Sequence, residues 1–131
     1  MVQIEGKYKL EKSEKFDEFL SELGVNFVKR NLAKRVTPVV TITKDGDYYV
    51  FKTETTVKNT EIKFKLNEEF EEMRADDVLV KTIITMEGDN RMIQIQKGDK
   101  EVKIVREFTD DGLNVIATVN GVTSVRFYKR L

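Results

Sequence analysis

The sequence predicts an all-β fold of ten antiparallel strands, with a helical hairpin between the first two strands. Segments of alternating apolar and polar residues follow one another from residue 39 to residue 130. Turn signals such as Asp45-Gly46 and Asn120-Gly121 separate many of these segments. Helical spacing of apolar residues is confined to one stretch near the N-terminus. A meander of this kind closes as a barrel or splits into two sheets.

Composition narrows the class of protein before any motif is considered. The 131 residues suit one domain over residues 1–131, and 23 basic side chains balance 23 acidic ones, which gives no reason to expect nucleic acid as a partner. The absence of cysteine and histidine excludes disulfides, thiol nucleophiles, histidine-ligated metals and Ser-His-Asp catalysis. No signal peptide and no apolar stretch of about 20 residues are present, so a soluble cytoplasmic protein is expected.

The N-terminal elements follow from two periodicities. Residues 2–10 alternate between apolar and polar side chains and predict a half-buried strand. Ser13 is a suitable N-cap for a first helix, and Gly24 is a natural stop. A second helix begins at Asn26 and ends before a Thr-Pro pair, because the residue before proline is pushed toward extended backbone. We therefore expect a helical cap over about residues 14–36.

Nine further strands complete the prediction. They cover residues 39–44, 48–56, 58–66, 68–74, 78–86, 91–97, 100–108, 113–119 and 122–130. Eight strands close around an interior just wide enough for side chains or one small ligand, so ten strands leave more room than side chains fill. A cavity is expected, and its occupant is a small amphipathic molecule.

Arg106 is the most unusual residue of the strand pattern. It shares a strand face with Ile104 and Phe108, where burial of an unpaired charge is costly. Arg126 and Tyr128 share a face of the last strand because they are two residues apart. If all three groups converge in an apolar interior, they form a receptor for an anion, most simply a carboxylate.

Each of these residues has an ordinary alternative. Arg106 can direct its head to water from a strand end. Periodicity alone would turn Val125 and Phe127 inward and leave Arg126 and Tyr128 in solvent, and by the same argument it places Gln94 and Gln96 outside. Glu72 and Arg74 can form a buried pair or belong to a charged surface. The basic second helix is a solvated face or a surface for anionic ligands and membranes.

Several motifs occur in the order that one known family shows. They are GKYKL at residues 6–10, EKFDEFL at 14–20, VKNTEIKF at 57–64, EFEE at 69–72, ADD at 75–77 and GVTSVRFY at 121–128. The whole chain resembles the intracellular fatty-acid-binding proteins, which belong to the lipocalin (calycin) superfamily, and in particular the mite and other arthropod members. The likeness to mite members also makes allergenicity conceivable.

The resemblance implies a flattened ten-stranded up-and-down barrel, or β-clam, with a helical cap and an internal ligand. In that fold partly polar faces line the lumen, which reverses the periodicity argument for the last strand and for the glutamines. Matched positions imply that Arg106, Arg126 and Tyr128 hold a fatty-acid carboxylate directly or through water. The residues that match the cavity, its entrance or its internal polar network are Phe16, Leu20, Val25, Pro38, Thr53, Thr55, Val57, Glu72, Arg74, Ala75, Asp76, Gln96, Val115 and Ala117.

Three positions depart from the family pattern. Tyr8 stands where most relatives carry tryptophan, which is a conservative change at the barrel floor. Val57 replaces the phenylalanine that many members place at the entrance, so gating by a ring is not expected there. Arg74 adds a cation that we expect to face the lumen and pair with Glu72.

The expected function is reversible, noncovalent binding and transport of long-chain fatty acids by a cytoplasmic monomer. No cofactor, metal or catalytic residue is expected, and the helical cap is a candidate for transient membrane contact. A retinoid, namely retinoic acid, or another hydrophobic acid is the alternative ligand, because relatives that bind retinoic acid share the Arg-x-Tyr motif. A carboxylate-only hydrolase and a scaffold without a ligand are the alternatives from other classes.

Overall fold

The structure is a computed structural model that describes residues 3–131, which form ten strands and two helices. The predicted first strand began at Val2, which lies outside the described residues. In chain order the elements are β1 (Gly6–Glu14), α1 (Phe16–Leu23), α2 (Phe27–Arg35), β2 (Val39–Asp45), β3 (Tyr48–Glu54), β4 (Asn59–Lys65), β5 (Phe70–Met73), β6 (Leu79–Glu87), β7 (Arg91–Lys97), β8 (Val102–Phe108), β9 (Gly112–Val119) and β10 (Val122–Arg130).

All ten strands belong to one antiparallel sheet with the order β4-β3-β2-β1-β10-β9-β8-β7-β6-β5. Strand β1 pairs with β10 as well as with β2, so the sheet curls round and nearly closes. The two ends of the order, β4 and β5, form no ladder with each other and leave a gap in the wall. The predicted ten-stranded barrel with two helices between its first two strands is confirmed.

The junction between β1 and α1 differs from the prediction. Ser13 does not cap the helix, because β1 continues past an irregularity between Leu10 and Lys12 and pairs Ser13 with Arg126. Lys15 occupies the N-cap position in a left-handed conformation (φ 58°) and makes no side-chain capping bond. The prediction that Ser13 starts the helix is therefore wrong, since strand pairing in β1 extends to that residue.

The other three helix boundaries agree with the local signals. Gly24 ends α1 with φ 106°, and its N–H donates to the carbonyls of Leu20 and Ser21. Asn26 caps α2 and accepts a hydrogen bond from the N–H of Lys29 at 2.9 Å. The capping residue after α2, Val36, is extended, two residues before the proline.

Two clusters of buried side chains hold the barrel and the cap. The floor cluster contains Tyr8, Ile42, Tyr49, Phe51, Phe64, Ile84, Met92, Phe108, Leu113 and Tyr128. The cap cluster contains Phe19, Leu20, Leu23, Val25, Val102, Ala117 and Val119. Helix α1 is therefore packed on the barrel, whereas α2 buries none of its residues. This difference leaves α2 as the weakly anchored half of the cap.

Tyr8 belongs to the floor cluster, as the family resemblance implied. Its ring lies edge-on to Phe108 with centroids 6.0 Å apart, and its hydroxyl donates to the carbonyl of Ile4 at 2.6 Å. Burial raises the pKa of this hydroxyl, and the nearby Arg130 guanidinium partly opposes the rise. A tyrosine thus fills the floor and finds a partner for its polar end.

Candidate ligand-binding site

The strand register places both arginines on the inner face. Arg106 on β8 and Arg126 on β10 each pair with Val115 on β9, and Tyr128 pairs with Leu113. Residues paired across an antiparallel ladder share a face, so the three polar groups point the same way as Leu113, which is 1% exposed. Periodicity in β10 gave the opposite face, and Val125 is in fact 40% exposed. The periodicity argument failed for β10 because the wall of a cavity need not be apolar.

Arg106 lies inside the barrel. Its guanidinium carbon is 5.2 Å from the centre of the Phe51 ring, and its Nη1 donates to Oε1 of Gln94 at 2.5 Å. Burial lowers the pKa of the Arg106 guanidinium, while the charge of Glu72 and the Tyr128 hydroxyl oppose that effect. The alternative in which Arg106 reaches bulk water from a strand end is wrong.

Glu72 and two glutamines connect to Arg106 as a chain of hydrogen bonds, called here the glutamine relay (Glu72, Gln94, Gln96, Arg106). Gln94 Nε2 donates to Glu72 Oε2 at 2.5 Å, and Gln96 Nε2 donates to the same oxygen at 3.2 Å. Both glutamines are buried, at 1% and 6% exposure. Gln94 is the residue that the sequence prediction missed. Its spacing of two from Gln96 was the available signal, because both must share one strand face.

Arg126 is held differently from Arg106. Its guanidinium carbon lies 3.8 Å from the centre of the Phe16 ring on α1 and 5.6 Å from that of Tyr128. Its buried Nε has no hydrogen-bond partner within residues 3–131, and no carboxylate of that range forms an ion pair with it. Burial lowers the pKa of Arg126, opposed by Tyr128. An uncompensated cation between two rings can accept an anion.

Two cavities reach these cations. The gap cavity has a volume of about 660 Å³, opens at the gap between β4 and β5, and reaches Arg106. It is lined by Phe51, Thr53, Lys58, Thr60, Glu61, Ile62, Lys63, Phe70, Glu71, Glu72, Met73, Arg74, Ala75, Asp77 and Arg106. The helix cavity, of about 270 Å³, lies between the cap and β1 and is lined by Phe16, Leu20 and Arg126 among others. The larger volume is in the range of small-molecule sites.

Several residues expected at the cavity lie elsewhere. Val25 and Ala117 are buried in the cap cluster, because α1 packs directly on the ends of the barrel strands. Val115 packs against the floor cluster between the two arginines. None of these three lines the gap cavity or the helix cavity.

The expected entrance residues occupy turns and strand starts. Val57 is 61% exposed in the turn between β3 and β4, and the Thr55 hydroxyl accepts from the N–H of Lys58 in that turn at 2.9 Å. Pro38 is buried, and its carbonyl accepts from the N–H of Leu10 at 3.0 Å. The gap cavity begins beside this turn, at Thr53, Lys58 and Thr60.

Arg74 does not pair with Glu72. Its Nε and Nη2 donate to the two oxygens of Asp76 at 2.6 and 2.7 Å, and Nη2 lies 2.9 Å from Asp99. The expected pair is wrong because the tight turn after β5 puts a carboxylate two residues away, in bidentate geometry. Hydrogen bonds from Arg74 hold the pKa of the Asp76 carboxyl below its usual range.

These contacts tie the cap to two barrel turns. Arg74 also donates to the carbonyl of Lys100 at 3.2 Å, and Lys100 Nζ donates to the carbonyls of Glu22 and Leu23 at the end of α1. Lys29 on α2 forms an ion pair with Asp77. A continuous set of polar contacts therefore links both helices to the turns that border the gap cavity.

Replacing Arg74 with methionine is expected to lower the free energy of unfolding by about 2 kcal/mol at pH 7. The loss in the free energy of unfolding that Arg74→Met causes should be smaller in acid than at pH 7. The depressed Asp76 pKa contributes stability above the unfolded value of about 4, and this contribution disappears as the pH falls through the folded value. Urea unfolding at pH 7 and pH 3 measures both effects.

The matched control is Arg91→Met, because the partners of Arg91, Glu87 and Glu107, are exposed or nearly so. We expect this variant to lose less than 1 kcal/mol or so at either pH. An Arg74→Met loss that is no larger than the control, or that stays constant in acid, would contradict the role given to the Arg74–Asp76 pair.

The architecture and the site together define a class of protein. A nearly closed antiparallel barrel with a helical cap, internal cations and an internal cavity is a lipid-binding protein of the calycin type. The chain belongs to the lipocalin / cytosolic fatty-acid binding protein family, whose model matches residues 5–131. Neither helix among residues 3–131 is long and apolar enough to cross a bilayer.

Individual relatives agree with this assignment over almost the full length. The fatty acid-binding protein of Tyrophagus putrescentiae is 67% identical over 130 residues, 99% of each chain. That of Lepidoglyphus destructor is 58% identical, again over 99% of each. The structure of the Schistosoma mansoni fatty acid binding protein in complex with arachidonic acid is 40% identical, with a TM-score of 0.92 over 96% of this chain and 94% of that one. The predicted resemblance to mite proteins is confirmed.

Proposed function

We propose that this protein reversibly binds long-chain fatty acids inside the barrel and transports them through the cytoplasm, as a single-domain monomer without cofactor or catalysis. The observation that carries the proposal is Arg126, a partly buried cation that lies against the Phe16 ring, whose buried Nε has no hydrogen-bond partner and which forms no ion pair with a carboxylate within residues 3–131. Relatives named fatty acid-binding proteins, and one whose structure contains arachidonic acid, support the same ligand class.

Hydrophobic burial supplies the driving force for binding. Each buried methylene contributes about 0.8 kcal/mol, so a sixteen-carbon tail is worth roughly 11 kcal/mol before ordering costs. The gap cavity, at about 660 Å³, offers the tail the side chains of Phe51, Ile62 and Phe70. The polar groups then decide the orientation of the ligand and the preference for acids over neutral lipids.

The proposed carboxylate site consists of Arg106, Arg126 and Tyr128. The two arginines lie on either side of Val115 in the strand register, Arg106 at the gap cavity and Arg126 at the helix cavity. The proposal therefore requires the two cavities to join over Val115 when the ligand binds, so that both arginines contact the headgroup directly or through water. Tyr128 supplies a hydroxyl on the same face, next to Arg126. Phe16 covers the Arg126 guanidinium from the cap, which joins the headgroup site to α1.

The direct test is a titration with oleate, preceded by solvent extraction of the purified protein to identify any lipid that it carries. We expect saturable binding and a fatty acid in the extract. Retinoic acid competition distinguishes the retinoid alternative, since a retinoid carrier would prefer retinoic acid to oleate. Turnover of a fatty acyl ester that depends on Glu72 would support the hydrolase instead. A lipid-free protein without saturable binding would favour the scaffold and refute the proposal.

Ligand is proposed to enter where the cap meets the gap, near Val25, Lys29, Val57 and Asp76. Helix α2 buries no residue, and its contacts with the barrel turns include the ion pair from Lys29 to Asp77, in which both side chains are about half exposed. Such contacts break at low cost. The exposed apolar residues Phe27 and Val28, next to basic side chains, suit transient contact with a membrane surface.

Fixing the cap to the barrel is expected to slow uptake without changing the final amount bound. In the double variant Lys29→Cys/Asp77→Cys a short thiol crosslinker can join α2 to the turn after β5, and the chain has no other cysteine to interfere. Stopped-flow fluorescence of a fatty-acid probe measures the rate. We expect at least a tenfold decrease on crosslinking, because entry then requires a different opening.

The same variant without crosslinker is the control, since it carries both substitutions and leaves the cap free. Equal uptake rates with and without the crosslink would show that ligand enters by another route.

A further inference from the structure

We propose that Glu72 sets the charge that the cavity accepts, so that the site selects a lipid with a single negative charge over one with two. This inference rests on the proposed function, because it assigns a selectivity to the same site. The observation behind it is that Arg106 is connected to a carboxylate by hydrogen bonds, whereas Arg126 is not.

The charge of Arg106 is already neutralised inside the protein, by the carboxylate of Glu72. Its guanidinium donates to Gln94, whose amide N–H₂ donates to Glu72, so each amide end faces the group that complements it. Gln96 gives Glu72 Oε2 a second donor at 3.2 Å. The relay fixes the carboxylate and the guanidinium at opposite ends of one connected network, and their charges cancel.

The charge of Arg126 is not neutralised by an ion pair within residues 3–131. Its guanidinium lies against two aromatic rings. Asp17 and Glu18 line the helix cavity with Arg126, but Asp17 pairs with Arg30 and Lys34, and Glu18 is exposed.

Arg74 adds no positive charge, because Asp76 pairs with it in the interior; its second partner, Asp99, is 64% exposed and is screened by water. The other charged residues of the gap cavity lie exposed at its mouth, where water and salt screen them; they are Lys58, Lys63, Glu61, Glu71 and Asp77.

Among residues 3–131 the inward-facing groups of the proposed site therefore hold one net positive charge, from Arg126 at the helix cavity, once Arg106 and Glu72 at the gap cavity are paired. A carboxylate brings one negative charge and leaves the site neutral. A phosphate monoester brings about −1.5 to −2 at neutral pH and would leave negative charge in a buried space, which is unfavourable. A neutral alcohol leaves the positive charge of Arg126 without a counter-charge, which is also unfavourable. Without the Glu72 charge the interior would hold two cations and would favour a doubly charged headgroup.

The experiment compares three ligands with the same tail, palmitate, hexadecyl phosphate and hexadecanol, at pH 8, where the phosphate is fully ionised. Binding is measured by displacement of a fluorescent probe from the wild-type protein, Glu72→Gln and Glu71→Gln. Glu71 is the matched control because it lines the same cavity one residue away and is exposed. We expect Glu72→Gln to raise the ratio of phosphate affinity to palmitate affinity about tenfold or more, and Glu71→Gln to leave it within about twofold.

A charge-restoring variant separates charge from shape. Glu72→Gln/Arg106→Met removes one charge of each sign and should return the phosphate-to-palmitate ratio toward that of the wild type. If Glu72→Gln does not fold, Arg106→Met alone serves, because its interior has no net charge. Because Arg106 also belongs to the proposed carboxylate site, Arg106→Met is expected to lose palmitate affinity relative to hexadecanol in either case. Only a recovery of that preference by about tenfold on adding Glu72→Gln supports the charge role of Glu72.

Each outcome bears on one proposal. Unchanged ratios in Glu72→Gln, or in the Arg106→Met pair, while the wild type binds palmitate tightly, would overturn the role of Glu72 and leave fatty-acid binding intact. A wild-type protein that binds none of the three ligands would instead overturn the proposed function.

Discussion

Replacing Arg126 with leucine is expected to weaken oleate binding about 10- to 100-fold, which corresponds to the loss of one or two charge-assisted hydrogen bonds. A neutral hydrophobic probe of similar length should bind as well as before or slightly better. The substitution removes a desolvated cation for which a neutral probe supplies no counter-charge, and it adds apolar surface. Parallel titrations of oleate and of methyl oleate measure the difference.

The control for this variant is Lys129→Leu, which removes a cation from the exposed, opposite face of the same strand. We expect it to change neither affinity by more than about twofold, since surface charges are screened. Because Arg126 also stacks on Phe16, thermal unfolding of the ligand-free variant is measured as well, to separate any loosening of the cap from the loss of a carboxylate contact. An equal loss for oleate and methyl oleate would contradict the carboxylate role of Arg126.

Substituting alanine for Gly112 is expected to lower the free energy of unfolding by about 3 kcal/mol, the largest stability effect that we predict. A Cβ at this buried position would run into the carbonyl oxygen of Tyr128 and come within 3.1 Å of the Phe127 ring. The backbone oxygen cannot rotate away as a flexible side chain can. The backbones of β9 and β10 must therefore move apart locally, which displaces Tyr128.

Gly121→Ala provides the comparison, because nothing lies within 4 Å of its hypothetical Cβ and only its φ of +80° resists substitution. It should cost about 1 kcal/mol. Urea unfolding of both variants gives the difference, and a Gly112→Ala cost equal to that of Gly121→Ala would refute the steric argument. We also expect Gly112→Ala, if it folds, to bind oleate more weakly.

Local signals predicted the elements well because turns and helix stops depend on a few neighbouring residues. Gly24, Asn26 and the Asn120-Gly121 turn all lie where their intrinsic backbone preferences place them. The exception is Ser13, a good cap residue that lies in β1 instead. Pairing with β10, more than one hundred residues away, overrides the local preference, and a single stretch of sequence carries no information about that partner.

The candidate site was only partly visible in the sequence. Arg106 stood out because apolar residues surround it in its strand face, and this pattern is local. The inward direction of Arg126 and Tyr128 contradicted the pattern of β10 itself and was predicted only through resemblance to a family. Gln94 was missed because its importance depends on two partners, one of them 22 residues away on another part of the wall.

What the sequence determined by itself is the alternation, the turns and the balance of charge, and hence an antiparallel meander with a helical hairpin, which closes as a barrel or splits into two sheets. Only the tertiary structure decided which charges meet. Arg74 pairs with Asp76 and Asp99, and Arg106 is linked to Glu72 by hydrogen bonds through Gln94. Arg126 contacts two aromatic rings. Partners of this kind lie on separate strands, and the distances that select them exist only once the barrel has closed.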